Sequence, residues 1–201
     1  EDLHESNALS VTVMDRAIEC LERIGQRLRN VPSENIRVVG TNTLRTASNS
    51  QHFIDLAEAA LGHRIEIISG REEARLIYLG VSHSLEDQLA SRLVIDVGGG
   101  STELILGRQF QPRIMESLHM GCVSMSNRFF RNGKIRSSNF DRAVNAARQE
   151  IEVVQQVFKA HGWDIAIGAS GTLLSIHSVI TEFIGEERIT VNGLNKLRRL
   201  L

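Results

Sequence analysis

The sequence predicts an α/β protein. Short apolar runs of β-type residues alternate along the chain with longer stretches of helical periodicity, the pattern of a sheet covered by helices. Glycine-rich turns join several of these runs, and 201 residues suffice for one large domain or two small lobes with a real core. The composition is that of an ordinary globular chain, 42% hydrophobic and 23% charged.

The elements follow in order. Over residues 13–28, Met14, Ala17, Ile18, Leu21, Ile24 and Leu28 recur at helical spacing, and Pro32 closes that stretch. Residues 36–39 form a short buried strand that runs into the loop TNTLRTASN, residues 41–49. A helix over 50–61 is closed by Gly62, a strand covers 65–68, and a helix covers 72–81. The polar residues 82–90 are a connector. Two strands then flank a glycine turn, and a third covers 113–117. Residues 139–160 form a long helix whose apolar stripe is Ala143, Ala147, Ile151, Val154 and Phe158. A strand over 165–167, a helix over 173–183 and a last helix beginning near Thr190 complete the order.

The stretch LVIDVGGGSTELILG, residues 93–107, carries the chemistry. It reads as strand, tight turn, strand. Gly98, Gly99 and Gly100 permit positive φ and close approach of a ligand to the amides, and successive amides make an anion-binding nest. Ser101 and Thr102 add hydroxyls. Asp96 and Glu103 bracket the turn with carboxylates suited to Mg²⁺, which takes oxygen ligands and keeps several waters. Other glycine motifs do not fit. Glu103 stands where a dinucleotide fingerprint needs its third glycine, and no G-x-x-x-x-G-K-[ST] string occurs. A plain hairpin is the simpler alternative, although two residues would suffice for that.

DVGGGSTEL resembles the second phosphate loop of the actin, Hsp70 and sugar-kinase superfamily. Together with TNTLRTASN, SGREEARLIYLGV (69–81), MGCVS (120–124) and GASGT (168–172), it resembles the bacterial exopolyphosphatase and guanosine-pentaphosphate phosphohydrolase family. The five motifs occur in order from about residue 8 onward. The resemblance implies a two-lobed, ribonuclease-H-like (actin-like ATPase) fold, with residues 1–80 in the first lobe and 81–201 in the second. It also implies a chain truncated at both ends, because no D-x-G-S-N-S loop precedes residue 8 and family members continue beyond the second lobe. A strand edge left uncovered in that way is an aggregation hazard unless another copy pairs with it.

Further site residues follow from the resemblance. Glu73, second glutamate of the E-E-A run, corresponds to the base that activates water, and neighbouring anions raise the pKa of such a base. Adjacent helical residues point about 100° apart, so Glu72 is left structural. Without the resemblance, both are simply first-turn acids on a helix dipole. Arg45 is the phosphate clamp, because a planar guanidinium grips phosphate bidentately, with Asn49 a weaker companion. Ser170, Gly171 and Thr172 open a helix whose unpaired amides suit an anion; a plain helix cap accounts for them equally well. Gly121 brings backbone close to the site.

Other residues are assigned plainer roles. Arg75, Arg92 and Arg108 are surface or salt-bridging residues, Phe129, Phe130 and Trp163 are core, and Cys20 and Cys122 are buried free thiols. The seven histidines form no pair at ligand spacing.

The expected activity is release of terminal phosphate from polyphosphate, with Mg²⁺ as cofactor, or from guanosine pentaphosphate. A nucleotide-dependent kinase or ATPase is a rival, as is a non-catalytic module that binds polyphosphate or alarmone. Net charge of −1 excludes a bulk basic field for nucleic acid, so a polyanion needs a local arginine cluster. No run of 18 apolar residues spans a membrane, and the acidic start EDLHESNALS is no signal peptide. A cytoplasmic protein that dimerises at full length is expected.

Overall fold

The computed structural model describes residues 7–85 and 90–200. It comprises two compact units, one ending at Gly70 and the other beginning at Arg71.

In the first unit, helix α1 (Val11–Leu28) is followed by strand β1 (Val38–Gly40), helix α2 (Asn42–Thr46), helix α3 (Ser50–Leu61) and strand β2 (Ile65–Ile67). β1 and β2 pair in parallel. The stripe expected on α1 packs: Met14 is buried with Phe53 and Ala57 of α3, and Ala17, Ile18 and Leu21 lie against them. Gly25 permits the close approach of α1 to α3, since a Cβ there would come within 2.6 Å of the Leu61 carbonyl oxygen. Gly62 ends α3 in the left-handed conformation, φ 78°. The TNTLRTASN segment, expected as a loop, holds one short helix. Thr46 Oγ1 donates to the Asn42 carbonyl at 2.9 Å, turning the chain there.

The second unit begins with helix α4 (Gly70–His83) and continues through strands β3 (Ser91–Val97), β4 (Thr102–Arg108) and β5 (Gln111–Leu118). Helices α5 (Cys122–Phe129) and α6 (Ser137–His161), strand β6 (Ile165–Gly168), and helices α7 (Gly171–Ile184) and α8 (Val191–Leu200) follow. The sheet order is β5-β4-β3-β6, antiparallel except for the parallel β3–β6 pair. Strand alternation assigns the faces. Val94 and Ile105 meet Ala74 and Tyr78 of α4 on one face, while Leu93 and Leu106 meet Phe158 of α6 on the other. This mixed sheet, helical on both faces, is the α/β architecture expected and fits the ribonuclease-H-like, actin-like class. α4 packs on this sheet, so the units divide before it and not near residue 80.

Several assignments are corrected by burial. Cys20 and Cys122 are exposed thiols, because both fall on outward positions of amphipathic helices. Trp163 is 41% exposed, and Phe129 and Phe130 are half-buried. Arg92 is 1% exposed: strand alternation turns it to the same face as Val94, and Nη1 reaches only the Gln109 carbonyl at 3.4 Å. Among the described residues, no helix is long and apolar enough to cross a membrane.

Candidate active site

The β3–β4 hairpin places its carboxylates as a register pair. Asp96 lies opposite Glu103, one step before Val97 and Thr102 close the ladder. Asp96 shares a face with Val94, and Glu103 with Ile105, so both point to the side covered by α4. Glu73 stands in the first turn of α4, four residues before Ile77, which packs on that face. The three carboxylates therefore converge.

Their electrostatics show it. Burial raises the Asp96 carboxyl above the usual range, and the Glu73 charge raises it further. Burial likewise raises Glu103, with Glu73 and Asp96 adding to it while hydrogen bonds from Ser117 and Ser101 oppose it. The Ser117 hydroxyl donates to Glu103 Oε1 at 2.8 Å. The charges acting on this pair are all negative. Glu72 points elsewhere, accepting Nε and Nη2 of Arg75 at 2.7 and 2.8 Å.

The glycine turn is closed by the Gly98 amide donating to the Ser101 carbonyl at 3.0 Å. Its glycines serve close approach and not left-handed backbone, since the positive-φ glycines among the described residues are Gly62, Gly133, Gly162 and Gly185. A Cβ on Gly121 would overlap the Gly99 backbone. With that contact made, the first amides of α5 bond to the turn: Cys122 to the Gly98 carbonyl at 2.9 Å, Val123 and Ser124 to that of Gly99 at 2.9 and 3.0 Å. The orphan donors of a helix N-terminus thus consume the acceptors of the turn. Among the described residues, the amides of Gly99, Gly100 and Ser101 donate to no protein group. What the turn offers is donors.

The GASGT turn is stitched to the same strand end. The Ala169 amide donates to the Ile95 carbonyl at 2.9 Å, and the Val97 amide donates to Ser170 Oγ at 3.2 Å. Ser170 also caps α7 by accepting the Leu173 amide. The amides of Gly171 and Thr172 open α7 beside the end of β3, a helix N-terminus suited to an anion.

Two expected ligand groups serve the framework instead. Thr102 is 3% exposed and its hydroxyl donates to the Met120 carbonyl at 2.7 Å, tying β4 to the segment that leads into α5. Asn49 is spent on Leu9, whose amide and carbonyl it bonds at 2.8 and 2.9 Å. Arg45 belongs to the first unit, where its Nη1 donates to the Ile68 carbonyl at 2.7 Å. Helix α5 was missed by sequence reasoning. Its one signal is the Gly121–Ser124 pair, in which Ser124 Oγ accepts the Gly121 amide at 2.9 Å.

Among the described residues, no group of three or more His, Cys, Asp and Glu side chains is close enough to hold one metal ion. The paired carboxylates fit a cation that keeps much of its water, as Mg²⁺ does, better than a full protein cage.

A strand hairpin with a donor-rich turn, flanked by carboxylates and a helix N-terminus, offers amide donors to an anion and carboxylate oxygens to a cation. The chain belongs to the Ppx/GppA phosphatase family, whose model matches residues 1–200. It is 43% identical over 197 residues to a guanosine-5'-triphosphate,3'-diphosphate pyrophosphatase of Vibrio cholerae, an alignment covering 98% of this chain and 39% of that protein. Among solved structures it is similar to an exopolyphosphatase-like protein, with TM-score 0.82 and 29% identity over 90% of this chain and 57% of that one. It also shares the fold of an exopolyphosphatase from Cytophaga hutchinsonii, with TM-score 0.81 and 23% identity over 98% of this chain and 66% of that one. The chain spans well under half the length of the curated relatives it matches.

Proposed function

We propose that the site hydrolyses a terminal phosphoanhydride by direct attack of water. The observation that carries this reading is the convergence of Glu73, Asp96 and Glu103 beside a turn whose free groups are amide donors. Phosphoryl transfer asks for positioning and charge neutralisation, and no nucleophilic side chain is needed.

In this reading the amides of Gly99, Gly100 and Ser101 bind the oxygens of the terminal phosphate. Asp96 and Glu103 would hold Mg²⁺, which supplies charge neutralisation on the phosphate oxygens. Glu73 accepts a proton from the attacking water, or orients it in line with the bond that breaks. Thr102 and Gly121 hold the turn in place.

Polyphosphate is the first substrate in this reading. The 43% identity to a Vibrio cholerae protein named for guanosine-5'-triphosphate,3'-diphosphate favours that nucleotide as the second. Both present the same terminal anhydride. The experiment is Mg²⁺-dependent phosphate release from each substrate in parallel, and the ratio of kcat/KM values decides between them. Binding of both with release from neither would leave the non-catalytic module standing.

A further inference from the structure

Among the described residues, four buried side-chain polar atoms make no hydrogen bond: Nε and Nη2 of Arg92, Oη of Tyr78 and Oγ of Ser82. They belong to one place. Arg92 lies opposite Gly107 on the β3–β4 ladder, so both turn to the face covered by α4. A Cβ on Gly107 would come within 2.7 Å of the Tyr78 hydroxyl, which therefore lies directly over this glycine. Ser82 follows Tyr78 by four residues, on the same side of α4. A register shift between Leu106 and Gly107 breaks the regular ladder with β5 at this point.

Charge decides what these groups need. Arg92, Tyr78 and Ser82 are each no more than 1% exposed. A guanidinium stays protonated, and a buried charge without a counter-ion is costly. The bond from Nη1 to the Gln109 carbonyl is long, at 3.4 Å, and brings no negative charge. Among the described residues, no carboxylate pairs with Arg92. The acids of the surrounding elements are engaged elsewhere. Glu72 holds Arg75, Glu116 holds Arg71, and Asp164 accepts the Ser91 amide. Glu73 and Glu103 stand together toward the glycine turn.

We propose that Arg92, Tyr78 and Ser82 bind a chloride ion between α4 and the sheet. Two guanidinium N–H groups and two hydroxyls form a set of donors around one positive charge, which suits a spherical monovalent anion. A water molecule would meet the hydrogen bonds and leave the charge uncompensated. An oxyanion would bring further acceptor oxygens into an enclosed place that has no donors left for them. The ion is not a substrate group. Four residues of β3 separate Arg92 from Asp96, roughly 13 Å. Its effect is to fasten the C-terminal half of α4, the helix that carries Glu73, to the sheet.

The test is thermal unfolding of the chain without Mg²⁺, in potassium chloride and in potassium gluconate at equal ionic strength. Chloride should raise Tm in a saturable way, by about 3–6 °C at tenfold its dissociation constant. Arg92→Met should abolish that response and melt no lower than wild type in gluconate, because it removes an uncompensated charge and keeps the apolar volume. Arg148→Gln, which removes an exposed cation of α6, should respond as wild type does. Crystals of the wild-type chain grown in bromide keep the proposal testable if Arg92→Met does not fold. An anomalous peak beside Nε and Nη2 of Arg92 is expected. Density for water alone at that place overturns the proposal, as does a chloride response that is absent from wild type or unchanged in Arg92→Met. Stabilisation by phosphate or sulfate but not by chloride or bromide, lost in Arg92→Met, overturns it in favour of an oxyanion.

Discussion

Asp96 and Glu103 face each other across the β3–β4 ladder, two carboxylates in register one pair from the glycine turn. Like charges placed directly opposite on a sheet destabilise it. Both carboxyls are raised above their usual range by burial and by negative neighbours. The fold therefore tolerates a local cost at the position where a cation would remove it.

That cost has a pH dependence with a defined sign. A carboxyl raised in the folded state binds protons more readily there than in the unfolded chain. Its stabilising contribution is complete below the unfolded carboxylate range and is lost as pH rises through the elevated folded value. Asp96→Asn should accordingly raise Tm at neutral pH, by about 1–3 °C for a chain this size, and by less at acid pH. Thermal unfolding across pH checks it; a lower Tm for Asp96→Asn at neutral pH counts against the repulsion.

Mg²⁺ should raise Tm of the wild-type chain by mass action, and the gain should shrink in Asp96→Asn and Glu103→Gln. Melting curves over a Mg²⁺ titration read this directly. An identical gain in all three proteins would remove the carboxylate pair from metal binding.

Gly121→Ala tests the packing of α5 on the turn. Its methyl would overlap the Gly99 backbone, so overpacking should cost about 1–3 kcal/mol. Urea unfolding measures that loss, and phosphate binding should weaken with it because the turn is displaced.

Thr102 separates a framework role from a ligand role. Thr102→Val leaves the buried Met120 carbonyl without its donor and should cost about 1–3 kcal/mol, whereas Thr102→Ser keeps the bond and most of the stability. If instead both variants fold with wild-type stability and lose phosphate affinity, the hydroxyl serves the ligand.

Much of this was legible in the sequence because it is local. The strand–glycine–strand run was legible as a hairpin bracketed by Asp96 and Glu103, and the cross-strand register then puts both on one face. Glu73 was legible only through the resemblance, as the second glutamate of the E-E-A run; the packing of Ala74 and Tyr78 on the sheet is what brings it to that face. What stayed hidden depends on contacts distant in the chain. Thr102 looked like a ligand until Met120 took its hydroxyl, and Asn49 until Leu9 took its amide. Arg92 looked like a surface cation, but strand alternation buries it beside Gln109. Helix α5 was barely legible because, apart from the Gly121–Ser124 pair, its first amides are satisfied by the distant carbonyls of Gly98 and Gly99.

Glu73, and not its neighbour Glu72, is the residue proposed to act on the water. Glu72 is held in a half-exposed pair with Arg75, an interaction worth about 0–1 kcal/mol, so its loss should barely register. The decisive measurement is Mg²⁺-dependent phosphate release by the wild-type chain, Glu73→Gln and Glu72→Gln, with melting curves for each. Glu73→Gln should lose about 10²–10⁴-fold in kcat with the fold intact, and Glu72→Gln should release phosphate at near the wild-type rate. Equal release by wild type and Glu73→Gln would contradict that role for Glu73.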